Sequence, residues 1–237
     1  MTPSLTIVVP IHNEAGFLPG ALVRLLAALD GVAATATVIL AENGSTDETA
    51  AVADRLALKD RRVRVLHLPT PDYGAAMRHG FLAANTDWVA NVDIDYFSGE
   101  FLTAAIGLGG EADVVLASKR APGAVDRRGI VRRLGTLAFN VLLRVLLRSR
   151  VSDTHGMKVI RGSVVTALAP AVISTQDLFD TELVIRAERA GYRIREIPAE
   201  VEEVRQARSS LIKRVPRTVL GLLRIRRALA AEARTAA

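Results

Sequence analysis

The chain has 237 residues, of which 50% are hydrophobic and 24% are charged, so it can bury a full core and is most simply one globular domain. It contains no cysteine, which excludes disulfides and thiolate metal sites, so a bound metal would need oxygen or histidine ligands. A net charge of +6 and a pI near 10.3 favour an anionic partner, such as nucleic acid, acidic lipid or a phosphorylated substrate.

The N-terminus runs directly into an apolar stretch without a basic region or a cleavage site, so we expect no signal peptide. Runs of 18 apolar residues do not occur, which predicts that no helix spans a bilayer. We therefore expect a cytoplasmic protein. Basic residues crowd into 119–150 and 205–227, whereas the first hundred residues are nearly balanced, which suggests two functional halves on one fold.

Apolar, β-rich runs alternate with helical patterns along the first hundred residues. The predicted strands are 5–9, 37–40, 63–68 and 88–92, and the predicted helices are 17–29, 47–58 and 75–84. Ser45 or Thr46 is expected to cap the second helix, with Glu48 in its first turn. Such alternation predicts an α/β fold with a mostly parallel sheet flanked by helices, in which ligands bind at the carboxyl ends of the strands.

Polar clusters follow three of these strands. They are Pro10-Ile11-His12-Asn13-Glu14, Ala41-Glu42-Asn43-Gly44-Ser45-Thr46-Asp47 and Asn91-Val92-Asp93-Ile94-Asp95. A strand that ends at the third cluster would carry Asp93 and Asp95 on one side, because side chains alternate with period two. Two hard oxygen ligands suit Mg²⁺ or Mn²⁺. A short carboxylate pair also occurs in solvated turns, so the pair alone does not indicate a metal site. The other two clusters strengthen that interpretation.

In order and spacing, these motifs resemble those of the family 2 glycosyltransferases of the GT-A fold. That family has P-x-x-N-E after the first strand, an acidic pair with G-S-T-D after the second, and D-x-D after the fourth. Residues 73–80 look like its G-x-A-x-x-x-G helix start. The resemblance covers roughly residues 5–205. It implies a Rossmann-like GT-A domain over 1–205, with a nucleotide-sugar-binding half at 1–97 and an acceptor-side half at 98–205.

The second half is most similar to the polyprenyl-phosphate sugar transferases of the dolichyl-phosphate mannose or glucose synthase type. The matching stretches are Ala117-Ser118-Lys119-Arg120, a basic loop to Arg133, an apolar helix at 134–147, Asp153-Thr154-His155-Gly156-Met157-Lys158, Phe179-Asp180-Thr181-Glu182-Leu183 and Gly191-Tyr192-Arg193-Ile194. Three departures are Lys119 in place of the usual arginine, Phe97 in place of a polar residue, and Glu42-Asn43 in place of two aspartates. A fourth is a D-T motif one residue shorter. They leave the sugar, the nucleotide and the metal geometry open.

On the donor side, the resemblance implies that Glu42 or Asn43 hydrogen-bonds the base of a GDP- or UDP-linked sugar. Pro10, His12 and Glu14 would wall the nucleotide pocket. The alternative for Asn43 is a simple turn that leads into a helix cap.

The resemblance implies that Asp93 and Asp95 hold Mg²⁺ or Mn²⁺, which would offset the charge that builds on the departing diphosphate. Both are therefore expected to be catalytic. Asp180 is the first choice for an acceptor-side carboxylate, and the catalytic set is then Asp93, Asp95 and Asp180. A helix-start aspartate can equally be structural.

Orientation of an anionic acceptor is expected from basic side chains, because guanidinium groups bind phosphate through paired hydrogen bonds. The candidates are Lys119, Arg120, Arg127, Arg128, Arg132 and Arg133, together with His155 and Lys158 of the D-T motif. The alternative is a solvated basic loop and a histidine that only supports the frame.

Two helices could contact a membrane. The one at 134–147 is apolar around most of its circumference and must be covered by protein, by a partner or by lipid, because it is too short to span a bilayer. The segment 206–237 is expected to be a basic amphipathic helix, which suits an anionic membrane surface. Packing within the protein or in a homo-oligomer is the alternative.

The predicted function is that of an inverting, metal-dependent glycosyltransferase that moves a sugar from a nucleotide diphosphate to a polyprenyl phosphate. It would act peripherally on the cytoplasmic face of an anionic membrane. One alternative is a family 2 enzyme with a glycolipid or a small soluble acceptor, and another is an idle nucleotide-sugar-binding protein. Aromatic residues make up 4% of the chain and do not interleave with the basic patches, which argues against nucleic acid as the partner.

Overall fold

The structure is a computed structural model that describes residues 2–127, 129–154, 156–201 and 211–235. Its strands are β1 (Ser4–Ile11), β2 (Thr35–Asn43), β3 (Val63–Leu68), β4 (Trp88–Asn91), β5 (Val114–Ser118), β6 (Val125–Asp126), β7 (Lys158–Arg161), β8 (Ile194–Pro198) and β9 (Glu200–Val201). Its α-helices are α1 (Leu18–Asp30), α2 (Thr49–Ala57), α3 (Tyr73–Ala83), α4 (Gly99–Gly107), α5 (Ile130–Leu142), α6 (Gly162–Leu168), α7 (Phe179–Arg189) and α8 (Leu211–Thr235). The elements predicted for the first hundred residues are confirmed, with ends that differ by at most three residues.

Seven strands form one sheet in the order β3-β2-β1-β4-β7-β5-β8. The strands β1 to β4 are parallel to one another, β5 is parallel to β8, and β7 runs antiparallel between β4 and β5. The predicted mostly parallel sheet is therefore confirmed. Because β1, β2 and β4 run the same way and are neighbours, their carboxyl ends meet at one edge of the sheet.

Apolar layers cover both faces of this sheet. Ile7 and Val9 of β1 pack on one side with residues of α1, α2 and α4, whereas Val8 packs on the other side with α3, α6 and α7. All three side chains are fully buried. A strand buried on both faces reads as an unbroken apolar run, which is why β1 was recognisable in the sequence.

Two local predictions are wrong. The strand β4 ends at Asn91, and the backbone N–H of Tyr96 donates to the carbonyl of Asp93 at 3.0 Å, so a tight turn carries the two aspartates rather than an extended strand. The first turn of α2 is held by Asp47, whose Oδ1 accepts from the backbone N–H of Thr49 at 2.9 Å. Ser45 and Thr46 lie too early to cap that helix, and Glu48 occupies its N-cap position rather than its first turn.

Helix α5 is apolar on two sides: Phe139 and Leu142 pack against the protein, whereas a second apolar side faces solvent. Its exposed side chains recur at helical spacing and are Ile130, Val131, Leu134, Leu137, Val141 and Val145. Asn140 faces the protein, where it is buried and donates to the carbonyl of Ser152. The helix continues as a π-helical segment at Leu143–Leu147. It begins at Ile130, four residues before the predicted start at residue 134. We call the exposed residues 130, 134, 137, 141 and 145 the α5 stripe.

The C-terminal helix α8 packs against the body of the protein. Leu222, Ile225 and Leu229 form a buried cluster with side chains of the segment after α5 and of α7. The predicted amphipathic helix is present, and the protein covers this part of its apolar side. The expected domain boundary at 205/206 lies outside the described residues. In the described part of the chain, every helix is too short or too polar to cross a membrane.

Close packing of α3 on β1 requires a glycine. A Cβ on Gly80 would lie 2.3 Å from Cγ1 of Val8, a branched side chain in the centre of the sheet. We therefore expect Gly80→Ala to lower the free energy of unfolding by about 1–3 kcal/mol through overpacking, as measured by urea titration. The matched control is Gly107→Ala in α4, where no described atom lies within 4 Å of the new Cβ and alanine favours the helix. Equal losses in the two variants would contradict this interpretation.

Candidate active site

A cleft opens at the carboxyl ends of β1, β2 and β4. Its walls are formed by Pro10, Ile11, His12, Glu14, Asn43, Tyr73, Asp93, Ile94 and Asp95. Six of the predicted site residues, which come from three separate polar clusters, therefore lie in one place. The parallel sheet causes this, because it brings the ends of its central strands together.

The loops after β1 and β2 are joined by hydrogen bonds. The ring nitrogen Nδ1 of His12 lies 2.8 Å from the carbonyl oxygen of Asn43. Asn13 adopts a left-handed backbone conformation, with φ of 54°, and its Oδ1 accepts from the backbone N–H of Thr46 at 2.8 Å. The backbone N–H of Glu14 donates to Oγ1 of Thr49 at 2.7 Å. These contacts hold the two loops together along one wall of the cleft.

The two residues expected to bind the base also have partners inside the protein. Oε1 of Glu42 accepts from the backbone N–H of Ser45 at 2.6 Å, and its side chain is 5% exposed. Oδ1 of Asn43 accepts from the backbone N–H of Asp72 at 2.6 Å. Asn43 lines the cleft, whereas Glu42 supports the loop behind it. A contact of either side chain with a base stays a prediction.

Negative charge is concentrated in the cleft. Solvent reaches Asp93, yet desolvation within the cleft, followed by the charges of Asp95 and Asp180, raises the pKa of Asp93 to about 6. Lys158 and Lys119 act in the opposite direction. Burial and the charges of Asp180 and Asp93 raise the pKa of Tyr73 well above its ordinary value, so this phenol keeps its proton and acts as a donor. The site therefore favours a cation between its carboxylates.

Two nearly buried ion pairs lie near Asp93. Nζ of Lys158 lies 3.1 Å from Oδ2 of Asp180, and the side chains are 1% and 6% exposed. Nζ of Lys119 lies 2.8 Å from Oδ2 of Asp153, a pair that is also nearly buried. The hydroxyl of Tyr73 donates to Oδ2 of Asp180 at 3.1 Å. These pairs allow several buried charges to coexist beside Asp93.

The glutamate of the F-D-x-E stretch faces away from the cleft. Glu182 is fully buried and accepts hydrogen bonds from the backbone N–H groups of Ile173 and Ser174. It also pairs with Arg186, which in turn binds Glu232 of α8. Glu182 therefore holds the loop before α7 and ties that loop to the C-terminal helix, whereas Asp180 pairs with Lys158 and Tyr73 beside the cleft.

The remaining predicted residues are only partly described. Arg120 and Arg133 are exposed on the surface. His155 and Arg128 lie outside the described residues, as does the side chain of Arg132. The roles predicted for all of them stay predictions.

The sequence motifs do not identify two residues of the site, Tyr73 and Asp153. Tyr73 stands directly before the first glycine of the helix-start motif, and Asp153 begins the D-T motif. Both motifs resemble those of the family, but nothing in their spacing indicates that these two side chains pair with Asp180 and Lys119.

The carboxylates of Asp93 and Asp95 fit a divalent cation. They offer hard oxygen atoms, and their mutual repulsion would be relieved by positive charge. Within the described ranges, no three histidine, aspartate or glutamate side chains are grouped to hold a metal by themselves. That arrangement suits Mg²⁺ or Mn²⁺, which is commonly bound by one or two carboxylates together with substrate phosphates and water.

Comparison with known proteins places the chain in a family. Residues 6–163 match the sequence profile of Glycosyl transferase family 2. Glycosyltransferase AglD of Haloferax volcanii is 31% identical over 226 residues, which cover 92% of this chain but only 35% of that protein. An undecaprenyl-phosphate mannosyltransferase of Micrococcus luteus is 29% identical over 199 residues, which cover 81% of this chain and 80% of that protein.

A solved structure shares the fold. It is glucosyl-3-phosphoglycerate synthase of Mycobacterium tuberculosis in complex with Mn²⁺, UDP-glucose and phosphoglyceric acid. The TM-score is 0.71 at 21% identity, over 94% of this chain and 79% of that one. Fold and cleft thus define a GT-A protein, as predicted. The chain belongs to glycosyl transferase family 2.

The buried Lys158–Asp180 pair makes a prediction about stability. Lys158→Met leaves the carboxylate of Asp180 buried without its cation, so we expect a loss of about 3–5 kcal/mol in the free energy of unfolding. Adding Asp180→Asn to that variant removes the uncompensated charge and should recover part of the loss. The control is Lys59→Met, at an exposed position. Urea titration that finds Lys158→Met as stable as the unchanged protein would contradict the burial of this pair.

Proposed function

We propose that this family 2 glycosyltransferase moves a sugar from a nucleotide-diphosphate sugar, GDP- or UDP-linked, to a polyprenyl phosphate at a membrane surface. The observation that carries the lipid acceptor is the α5 stripe, an apolar helix side that faces solvent. A Micrococcus luteus relative named for undecaprenyl phosphate supports the same acceptor class. Residues 1–97 bind the donor in this proposal, residues 98–205 the acceptor, and 206–237 the membrane surface or the body of the protein.

On the donor side, Pro10, His12 and Glu14 form the wall of the nucleotide pocket, and Asn43 or Glu42 contacts the base. The interlocked loops after β1 and β2 make this pocket rigid, so little ordering is needed when the donor binds. A divalent cation bound by Asp93 and Asp95 would neutralise charge on the diphosphate leaving group.

The reaction needs orientation more than a strong base. One oxygen of the acceptor phosphate attacks the anomeric carbon, and the bond from that carbon to the diphosphate oxygen breaks. The electron pair leaves with the diphosphate. The acceptor is already an anion, so no proton has to be removed. Direct attack from the opposite side inverts the configuration at the anomeric carbon.

In this proposal, basic residues of the second half orient the acceptor phosphate. Lys119 and Lys158 hold their positions through buried ion pairs, and Arg120 and Arg133 are exposed on the surface. Arg132 and His155 belong to the same proposal. Guanidinium groups bind phosphate in a paired geometry, which limits the directions from which its oxygen can attack.

The α5 stripe fits a lipid surface. Its apolar side chains stay in water in the folded protein, which costs free energy that burial in a bilayer interface would recover. Arg133, Arg144 and Arg148 are exposed on the same segment, and each cation near an anionic leaflet contributes about 1 kcal/mol. A polyprenyl phosphate keeps its tail in the bilayer, so an enzyme that docks there brings its cleft to the substrate.

Loss of a metal ligand tests the chemistry. Asp95→Ala is expected to reduce turnover at least about a hundredfold, because leaving-group stabilisation by a cation is worth several kcal/mol. Turnover is followed as transfer from a panel of nucleotide sugars to a short polyprenyl phosphate. Asp95 lies on a turn outside the core, so the urea midpoint should not change. The control is Glu111→Ala, which removes an exposed carboxylate that does not line the cleft. Near-normal turnover of Asp95→Ala in Mg²⁺- or Mn²⁺-containing buffer would refute the metal site.

Membrane binding is tested on the α5 stripe. The variant Leu134→Ser, Leu137→Ser, Val141→Ser should lose co-sedimentation with anionic vesicles, whereas the unchanged protein binds them at low salt and binds neutral vesicles much less.

The control for that experiment replaces three exposed apolar residues elsewhere, Val23, Leu58 and Leu82, by serine. It should bind vesicles like the unchanged protein. Equal recovery of the unchanged protein in the supernatant, with or without vesicles, would contradict the proposal. If the unchanged protein and the control variant are dimers and the α5 variant is a monomer, the stripe forms a homo-oligomer interface instead.

A further inference from the structure

Tyr73 connects the two sides of the cleft. It is the first residue of α3 and lines the cleft together with Asp93 and Asp95. Its hydroxyl donates to Oδ2 of Asp180, which belongs to the first turn of α7. A side chain on the donor wall is therefore hydrogen-bonded to the carboxylate on the acceptor side.

The backbone around Tyr73 is fixed from both directions. The N–H of Asp72 donates to Oδ1 of Asn43 on the donor side at 2.6 Å. Oδ1 of Asp72 accepts from the N–H of Gln176 on the acceptor side at 2.9 Å. A Cβ on Gly74 would lie 2.5 Å from the backbone nitrogen of Gln176, so only glycine lets the two segments approach this closely. Tyr73 consequently has little freedom to move.

The loop that contacts this turn is itself held in an uncommon conformation. Gln176 has φ of 54°, in the left-handed region that a residue with a side chain rarely adopts. Such a conformation persists only where neighbouring contacts enforce it, and the hydrogen bond from its N–H to Asp72 is one of them. This loop leads directly into α7, so the position of Asp180 depends on the turn that carries Tyr73.

The two carboxylate oxygens of Asp180 differ in their hydrogen-bond partners. Oδ2 receives the hydroxyl of Tyr73 and the ammonium of Lys158, both at 3.1 Å. The other oxygen, Oδ1, is buried, and none of the described residues donates a hydrogen bond to it. A buried carboxylate oxygen that lacks a donor among the described residues is costly, so a donor from a bound substrate would stabilise it.

We propose that Tyr73 is a positioning residue, which together with Lys158 occupies Oδ2 of Asp180 so that Oδ1 accepts a hydrogen bond from an O–H group of the bound substrates. This inference rests on the proposed glycosyl transfer and names how the acceptor-side carboxylate is aimed. The proposed acceptor reacts as a phosphate anion, so the O–H group is a hydroxyl of the sugar that is transferred. Without the Tyr73 hydroxyl, the carboxylate can rotate, and Oδ1 no longer has a fixed direction.

The test is the variant Tyr73→Phe, which removes one oxygen atom and keeps the ring in place. With saturating substrates, kcat is expected to fall about tenfold to a hundredfold, as for loss of an aligned hydrogen bond at a reacting centre. Affinity for the nucleoside diphosphate, measured by calorimetry, should stay within about twofold of the unchanged protein. Tyr192→Phe, at a half-buried tyrosine of the segment before β8, is the matched control and should leave kcat unchanged.

A second pair of variants separates positioning from simple support. If Tyr73 acts through Asp180, adding Tyr73→Phe to Asp180→Asn causes no further loss of kcat, whereas two independent roles would give multiplied losses. In Asp180→Asn, affinity for the nucleotide sugar and for the nucleoside diphosphate is compared with that of the unchanged protein. A larger loss for the nucleotide sugar supports a hydroxyl of the sugar as the donor.

Two outcomes overturn the inference. One is a Tyr73→Phe enzyme whose kcat stays within about twofold of the unchanged protein. The other is multiplied losses in the double variant. An unchanged protein that transfers no sugar to any polyprenyl phosphate would instead count against the proposed function, so the two failures can be told apart.

Discussion

The buried ion pair between Lys158 and Asp180 is the contact on which the side of the cleft beside Tyr73 depends. Lys158 comes from β7, the antiparallel strand inserted between β4 and β5, and Asp180 comes from the start of α7. Desolvation of two charges is expensive, so such a pair persists only where additional hydrogen bonds complete it. Tyr73 supplies one to Asp180, and the carbonyl of Gly156 accepts one from Lys158. The pair lets a third carboxylate lie beside Asp93 and Asp95.

Negative charge, positive charge and apolar surface occupy different parts of the protein. Carboxylates occupy the cleft at the carboxyl edge of the sheet, where a cation and a diphosphate fit. Exposed arginines of the segment 120–150 lie outside it, and α5 turns its apolar stripe to solvent while Asn140 faces inward. A soluble acceptor would not require such a helix. An acceptor with an anionic head and a lipid tail would use the cleft, the arginines and the stripe together.

Much of the first half could be predicted from sequence, because strands buried on both faces appear as apolar runs and their ends carry the polar clusters. The geometry of the aspartates could not, since β4 ends at Asn91 and a turn carries Asp93 and Asp95. The partner of Lys158 was equally hidden, because it depends on the antiparallel insertion of β7. The sequence indicated that α5 was mostly apolar, but only tertiary packing decides which side faces water.

The most direct measurement is a competition between acceptors. The protein is incubated with a labelled nucleotide sugar, with vesicles that contain a short polyprenyl phosphate, and with phosphoglycerate in the same tube. If the lipid phosphate is the acceptor, the label moves into the solvent-extractable lipid and the nucleoside diphosphate is released in equal amount. Label recovered in a water-soluble phosphoglycerate product, with none in the lipid, would contradict a lipid acceptor.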